Sequence, residues 1–238
     1  MRIKIVRDPD SVALEAAKFI ASEARAAVPD HGTFVMAVSG GHTPWLMLRD
    51  LAVEDVPWNA VRIVQVDERI APAGDPDRNL THLRESLLNH APLPAGQIYP
   101  MPVESSDLQG ACAKYAKTLE MFAGSPPVLD LVHLGLGPDG HTASLVPGDP
   151  VRNINDADVA LTGLYQGRRR MTLTYPILNR SRCILWLVTG SEKAEILARL
   201  LAEDPSIPAG QVRTDRAVVI ADRAAASRID GDLNMNVA

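Results

Sequence analysis

Aromatic residues supply only 4% of this 238-residue chain, so its core has to be built from Ala, Val, Leu and Ile, a composition suited to helices packed closely on a sheet. Cysteine is nearly absent. The two present, Cys112 and Cys183, lie in apolar stretches with no Cys or His nearby at zinc-site spacing, which excludes a disulfide framework and a structural metal site. They read as buried free thiols of a reducing compartment. No apolar run reaches the ~18 residues of a membrane span. The N-terminus, Met1 to Asp8, is charged and alternating and lacks the apolar centre of a signal peptide. A cytoplasmic protein with no membrane partner is expected. Basic residues are not in excess either: the net charge is −5, which disfavours a nucleic-acid surface but leaves room for one small anion in a local positive pocket.

What remains is ordinary globular usage, 46% apolar and 22% charged, in a chain long enough to bury a sizeable core. Strand-like and helix-like segments alternate. Strands are expected at 3–6, 34–38, 61–66, 97–101, 129–136, 159–164, 171–174, 183–188 and 217–220. Helices are expected at 10–28, 43–51, 79–89, 108–122 and 191–201. Leu129 to Leu136 and Cys183 to Val188 are apolar at nearly every position, as parallel strands covered on both faces are. The order predicts an α/β fold, doubly wound, with a mainly parallel sheet and helices on both faces. No repeat or linker is evident, so residues 1–238 read as one domain, with a loose tail over 230–238.

The loop from Ser39 to Pro44 is neither a Walker lysine loop nor a GxGxxG fingerprint, and no GxSxG elbow occurs in the chain. Ligands of open parallel sheets bind beyond the carboxyl ends of strands, and the loops found there are unusual. Ser39-Gly40-Gly41-His42-Thr43-Pro44 joins a strand to a helix N-terminus, an arrangement suited to an anion, with Thr43 expected to cap the helix. Asp67-Glu68-Arg69 places three charges at a strand end and opens a polar loop that runs to Asn79, read as the next helix cap. Gly135 to Leu145 packs glycines beside Asp139 and His141. An imidazole titrates near neutral pH and takes a proton from water, and Asp139, two residues away, is placed to orient it. With no serine or cysteine elbow, direct attack by water is favoured. Thr189-Gly190-Ser191-Glu192-Lys193 sets a lysine in a first helical turn, where a bound anion would offset its conflict with the helix dipole. Of Arg168-Arg169-Arg170, strand alternation lets at most one or two side chains reach one pocket. His133 reads as a core histidine, and His31, His82 and His90 as solvated; His42 stays open.

These loops, in this order, resemble the 6-phosphogluconolactonase family. The resemblance spans Phe34 to Ala226 and rests on SGGHTP (39–44), DER (67–69), LGLGPDGHTASLVPG (134–148) and RMTLTYPILN (170–179), with TGSEK (189–193) and IADRAAA (220–226) in agreement. It implies a sugar-phosphate isomerase-like fold and hydrolysis of 6-phosphoglucono-δ-lactone to 6-phosphogluconate in the oxidative pentose phosphate pathway, with no cofactor and no metal. By likeness His141 is the catalytic base and Asp139 its neighbour, and Arg69 contacts the substrate. Arg170 and Lys193 meet the phosphate alongside Ser39, Gly40, Gly41, His42 and Thr43. The implied partner is a small sugar-phosphate lactone, with the chain a monomer or a homodimer. The chain departs from the family pattern at His42, Arg78 and Val146. The rival with the same fold, a glucosamine-6-phosphate deaminase, carries a Glu a few residues after the signature His; residues 142–147 hold no carboxylate. A non-catalytic sugar-phosphate sensor would be expected to carry a DNA-binding module, and no helix-turn-helix precedes residue 34.

Overall fold

The computed structural model describes residues 1–229 and the backbone of 236–237. Its frame is an all-parallel sheet of β1 (Arg2–Val6), β2 (Phe34–Val38), β3 (Val61–Gln65), β5 (Ile98–Tyr99), β6 (Leu131–Gly135), β9 (Cys183–Val188), β10 (Ala217–Asp222) and β11 (Asn236–Val237). In space the order is β11-β1-β10-β9-β6-β2-β3-β5. A smaller antiparallel sheet, β4-β8-β7, is made of β4 (Asp67–Arg69), β7 (Val159–Leu161) and β8 (Arg170–Leu173).

The period-2 geometry of the strands divides the core in two. Phe34, Met36 and Val38 of β2 face α1 (Pro9–His31), α2 (His42–Leu51) and α3 (Asn79–Leu83), packing with Ile20, Met47, Leu51 and Leu83. Val35 and Ala37 face the opposite layer, formed by α4 (Leu108–Ala123), α5 (Tyr175–Arg180) and α6 (Ala194–Leu201) with Leu119, Leu178, Leu197 and the buried Trp186. Helices therefore cover both faces, as expected for strands without a polar side. The helix ends are fixed locally. Asp8 accepts from the Ser11 N–H at 2.9 Å to start α1, Gly32 closes it at φ 85°, and Asp107 accepts from the Gly110 N–H at 2.9 Å to start α4. Among the described residues no helix is long and apolar enough to cross a membrane.

Several local expectations are corrected. Asp67-Glu68-Arg69 is a strand, not a loop, and pairs with Thr172, Met171 and Arg170. The short helix α5 forms where the sequence pattern predicts no element. The helix expected over 79–89 is α-helical to Leu83 and then π-helical over Arg84–Leu88. The tail expected over 230–238 lies mostly outside the described residues, and Asn236–Val237 pair in parallel with Lys4 and Ile5.

Candidate active site

The strand order reverses between β2 and β6. From β2 the chain winds outward to β3 and β5; from β6 it winds the other way to β9 and β10, beyond which the first strand, β1, lies. Loops leaving two neighbouring strands in opposite directions leave a crevice at their carboxyl ends. A cleft of about 350 Å³ opens there, lined among others by Ser39, Gly40, Gly41, His42, Thr43, Arg69, His141, Arg170 and Lys193.

The first loop is tied down at both ends. The Ser39 hydroxyl donates to the His133 carbonyl at 2.9 Å, and the Ser39 N–H donates to His133 Nδ1 at 3.3 Å. Thr43 does not cap α2; its hydroxyl pairs with that of Thr189 at 2.9 Å, joining the loop after β2 to the loop after β9. Gly41 is the N-cap of α2 and offers no side-chain cap, which leaves the first amides of the helix available to a ligand.

The loop after β6 carries the histidine. The Gly137 N–H donates to the His141 carbonyl at 2.8 Å, and a Cβ on Gly137 would overlap the His141 ring, so the imidazole lies directly on that glycine. His141 Nδ1 is 2.6 Å from Asp139 Oδ1, which also accepts from the His141 N–H at 3.1 Å. Burial acts to raise the Asp139 carboxyl, but the His141 N–H and ring outweigh it and hold it below the usual carboxylate range. An ionised Asp139 requires the proton on Nδ1, which leaves Nε2 as the basic nitrogen. Tyr165 stands edge-on to the imidazole with centroids 5.6 Å apart. Asp139 is held behind His141 and does not itself line the cleft.

The cations come from different elements. Arg69 on β4 and Arg170 on β8 are directly opposed across the antiparallel pair. Burial lowers the Arg170 pKa, with Asp67 opposing the shift and Arg69 adding to it. Arg170 reaches Gln166 at 3.2 Å and lies over the Tyr165 ring at 5.0 Å, while its Nε is buried without a partner. Among the described residues neither Arg69 nor Arg170 forms an ion pair. Lys193 closes the other side; burial lowers its pKa against the pull of Glu192 and Asp139. Arg168 is turned away and neutralised by Asp75 and Asp77 at 3.2 and 3.1 Å.

Residues given no site role in the sequence complete the arrangement. Asp67 is buried and accepts from the Ser144 hydroxyl at 2.6 Å. Glu68 is fully buried; its carboxylate, not the Asn79 side chain, caps α3 by accepting from the Asn79 and Leu80 N–H groups at 2.8 Å each. Asn79 turns instead to Arg69 and Asp67. No spacing rule marks these contacts, because each joins residues that only the two-sheet topology brings together. His133 is a core histidine, while His31 and His82 are not merely solvated. His31 bonds the buried Asp130 at 2.8 Å, and His82 stacks on Trp45 at 3.9 Å. Among the described residues no group of three or more His, Cys, Asp or Glu side chains is placed to hold a metal ion.

Residues 7–220 match the family model described as glucosamine-6-phosphate isomerases/6-phosphogluconolactonase. A 6-phosphogluconolactonase of Synechocystis is 35% identical over 182 residues, 75% of each chain. One of Mycobacterium tuberculosis is 34% identical over 241 residues, covering 95% of this chain and 98% of that one. The solved 6-phosphogluconolactonase of Thermotoga maritima superposes with a TM-score of 0.82 at 27% identity, covering 93% of this chain and 98% of that one.

Proposed function

The chain belongs to the family of glucosamine-6-phosphate isomerases and 6-phosphogluconolactonases, and from that membership we propose that it hydrolyses 6-phosphoglucono-δ-lactone to 6-phosphogluconate, the lactonase step of the oxidative pentose phosphate pathway. The observation that carries this reading is His141, held by Asp139 at 2.6 Å and lining a cleft that also presents Arg69, Arg170 and Lys193. No carboxylate follows His141 between residues 142 and 147, which separates the chain from a deaminase.

In this reading the phosphate docks on the cations and the amides of the 39–43 loop, and the lactone carbonyl lies toward His141. His141 Nε2 takes a proton from water as the water oxygen bonds to C1. Arg69 or loop amides stabilise the negative oxygen that develops on C1. As the ring C1–O bond breaks, the same proton passes from the imidazolium to the leaving ring oxygen. Asp139 holds the Nδ1 proton in place throughout. We take the reaction to be cytoplasmic and free of nucleic-acid and membrane partners; the acidic net charge and the buried free thiols Cys112 and Cys183 support this.

A general base is worth about 10² to 10⁴ in rate. His141→Ala is therefore expected to lose about that factor in kcat for lactone hydrolysis at mildly acidic pH, where spontaneous opening is slow, while still binding 6-phosphogluconate. Near wild-type turnover by the variant, above the spontaneous rate, would remove His141 from its role. Wild-type protein should also prefer the phosphorylated lactone strongly over unphosphorylated glucono-lactone.

A further inference from the structure

Arg69 sits on a strand of three residues and has a long, rotamer-rich side chain, yet the reaction needs its guanidinium in one place. Among the described residues, the one hydrogen bond from that side chain goes to Asn79 Oδ1. The Asn79 amide cannot turn round, because its Nδ2 donates to the Asp67 carbonyl at 3.0 Å and to Asp67 Oδ1 at 3.2 Å. Its backbone is pinned by the buried Glu68 carboxylate at 2.8 Å. Asp67 is in turn bonded to Ser144, in the same loop as His141. Across the cleft, a Cβ on Gly40 would overlap the Asn79 side-chain oxygen, and Gly40 itself has no positive φ that would demand glycine.

We infer that Asn79 is the positioning residue of Arg69, and that Gly40 lacks a side chain so that the Asn79 amide can reach the guanidinium. An amide suits this task better than a carboxylate: it fixes the fork through one acceptor oxygen and leaves the positive charge uncompensated for the substrate. The inference rests on the lactonase reading above, in which Arg69 faces the reacting lactone.

The test is a pair of double-mutant cycles on the whole chain, with kcat and KM measured for the phosphorylated lactone. Asn79→Ala is expected to lower kcat by about 10- to 100-fold, the range typical of a misplaced reacting group. In an Arg69→Ala background the same change should cost no more than about twofold, because a residue that acts through Arg69 has nothing left to position. Gly40→Ala should reproduce the loss seen in Asn79→Ala, and the Gly40→Ala/Asn79→Ala double variant should be no worse than Asn79→Ala, since the shortened side chain makes room for the new methyl. A residue that merely supported the fold would give losses that multiply in both cycles, and multiplying losses, or an Asn79→Ala variant with wild-type kcat, would overturn the inference. Failure of the lactonase reading looks different: the wild-type chain itself would not turn the lactone over above the spontaneous rate.

Discussion

His133 has no exposed surface, and burial alone pushes its imidazole down to about 3. Its Nδ1 accepts the Ser39 N–H, so a neutral ring supports the first loop of the site. In the unfolded chain this histidine titrates near its ordinary value of about 6.5. Between that pH and about 3 the unfolded state binds a proton that the folded state refuses, so stability falls as pH falls and is flat above about 7. From pH 7 to 5.5 this one group should cost the wild type about 1 kcal/mol, by the linkage slope of about 1.4 kcal/mol per unit. Urea unfolding at both pH values for wild type and His133→Gln checks it: Gln retains an acceptor oxygen for Ser39 and carries no titration, so the variant's pH dependence should be shallower by about that amount. An equal slope in the two proteins would mean that His133 is protonated in the folded state.

At the scale of elements, the opposition of Arg69 and Arg170 is a liability that the fold accepts. Like charges directly opposite on an antiparallel pair repel, and Arg170 is also desolvated with its Nε unpaired. Arg170→Met keeps the apolar stem and removes the charge. The ligand-free variant is expected to gain about 1 kcal/mol, or about 2–4 °C in Tm for a chain of this length, while KM for the phosphorylated lactone rises. Calorimetry without ligand decides the point, and a lower Tm would show that the Tyr165 and Gln166 contacts outweigh the repulsion. This pair also marks the limit of what the sequence discloses. Strands such as 34–38 and 183–188 are legible to the residue because each is an unbroken apolar run buried on both faces. The strand Asp67–Arg69 is not, because three charged residues read as a solvated loop. Its partner lies a hundred residues downstream, so no local pattern announces the pairing. The same holds within the site. His141, Asp139 and Lys193 are legible as chemically conspicuous residues at strand ends; alternation only limits how many of Arg168, Arg169 and Arg170 can reach one pocket, and the family resemblance alone selects Arg170. Asn79, Asp67, Glu68 and Ser144 were not given site roles, because their contacts exist only once the small sheet folds against the large one.

For the whole molecule, the decisive feature is that the cleft collects its side chains from both winding directions of the sheet. The 39–43 loop follows β2, His141 follows β6, Lys193 follows β9, and Arg69 and Arg170 overhang from the antiparallel sheet. A ligand that touches all of them ties together segments that separate on unfolding, so its binding energy adds in full to global stability. The anion supplies most of this if the cations are there for a phosphate. At a hundred times its Kd, 6-phosphogluconate should stabilise the protein by about 2.7 kcal/mol, or about 5–10 °C in Tm. Gluconate at the same concentration, which has the same chain and no phosphate, should shift it far less. Arg170→Met and Lys193→Met should each shrink the shift from 6-phosphogluconate while leaving the small response to gluconate unchanged. Equal shifts from the two compounds in the wild type would mean that the cations do not grip the phosphate, and that the cleft recognises the polyol alone.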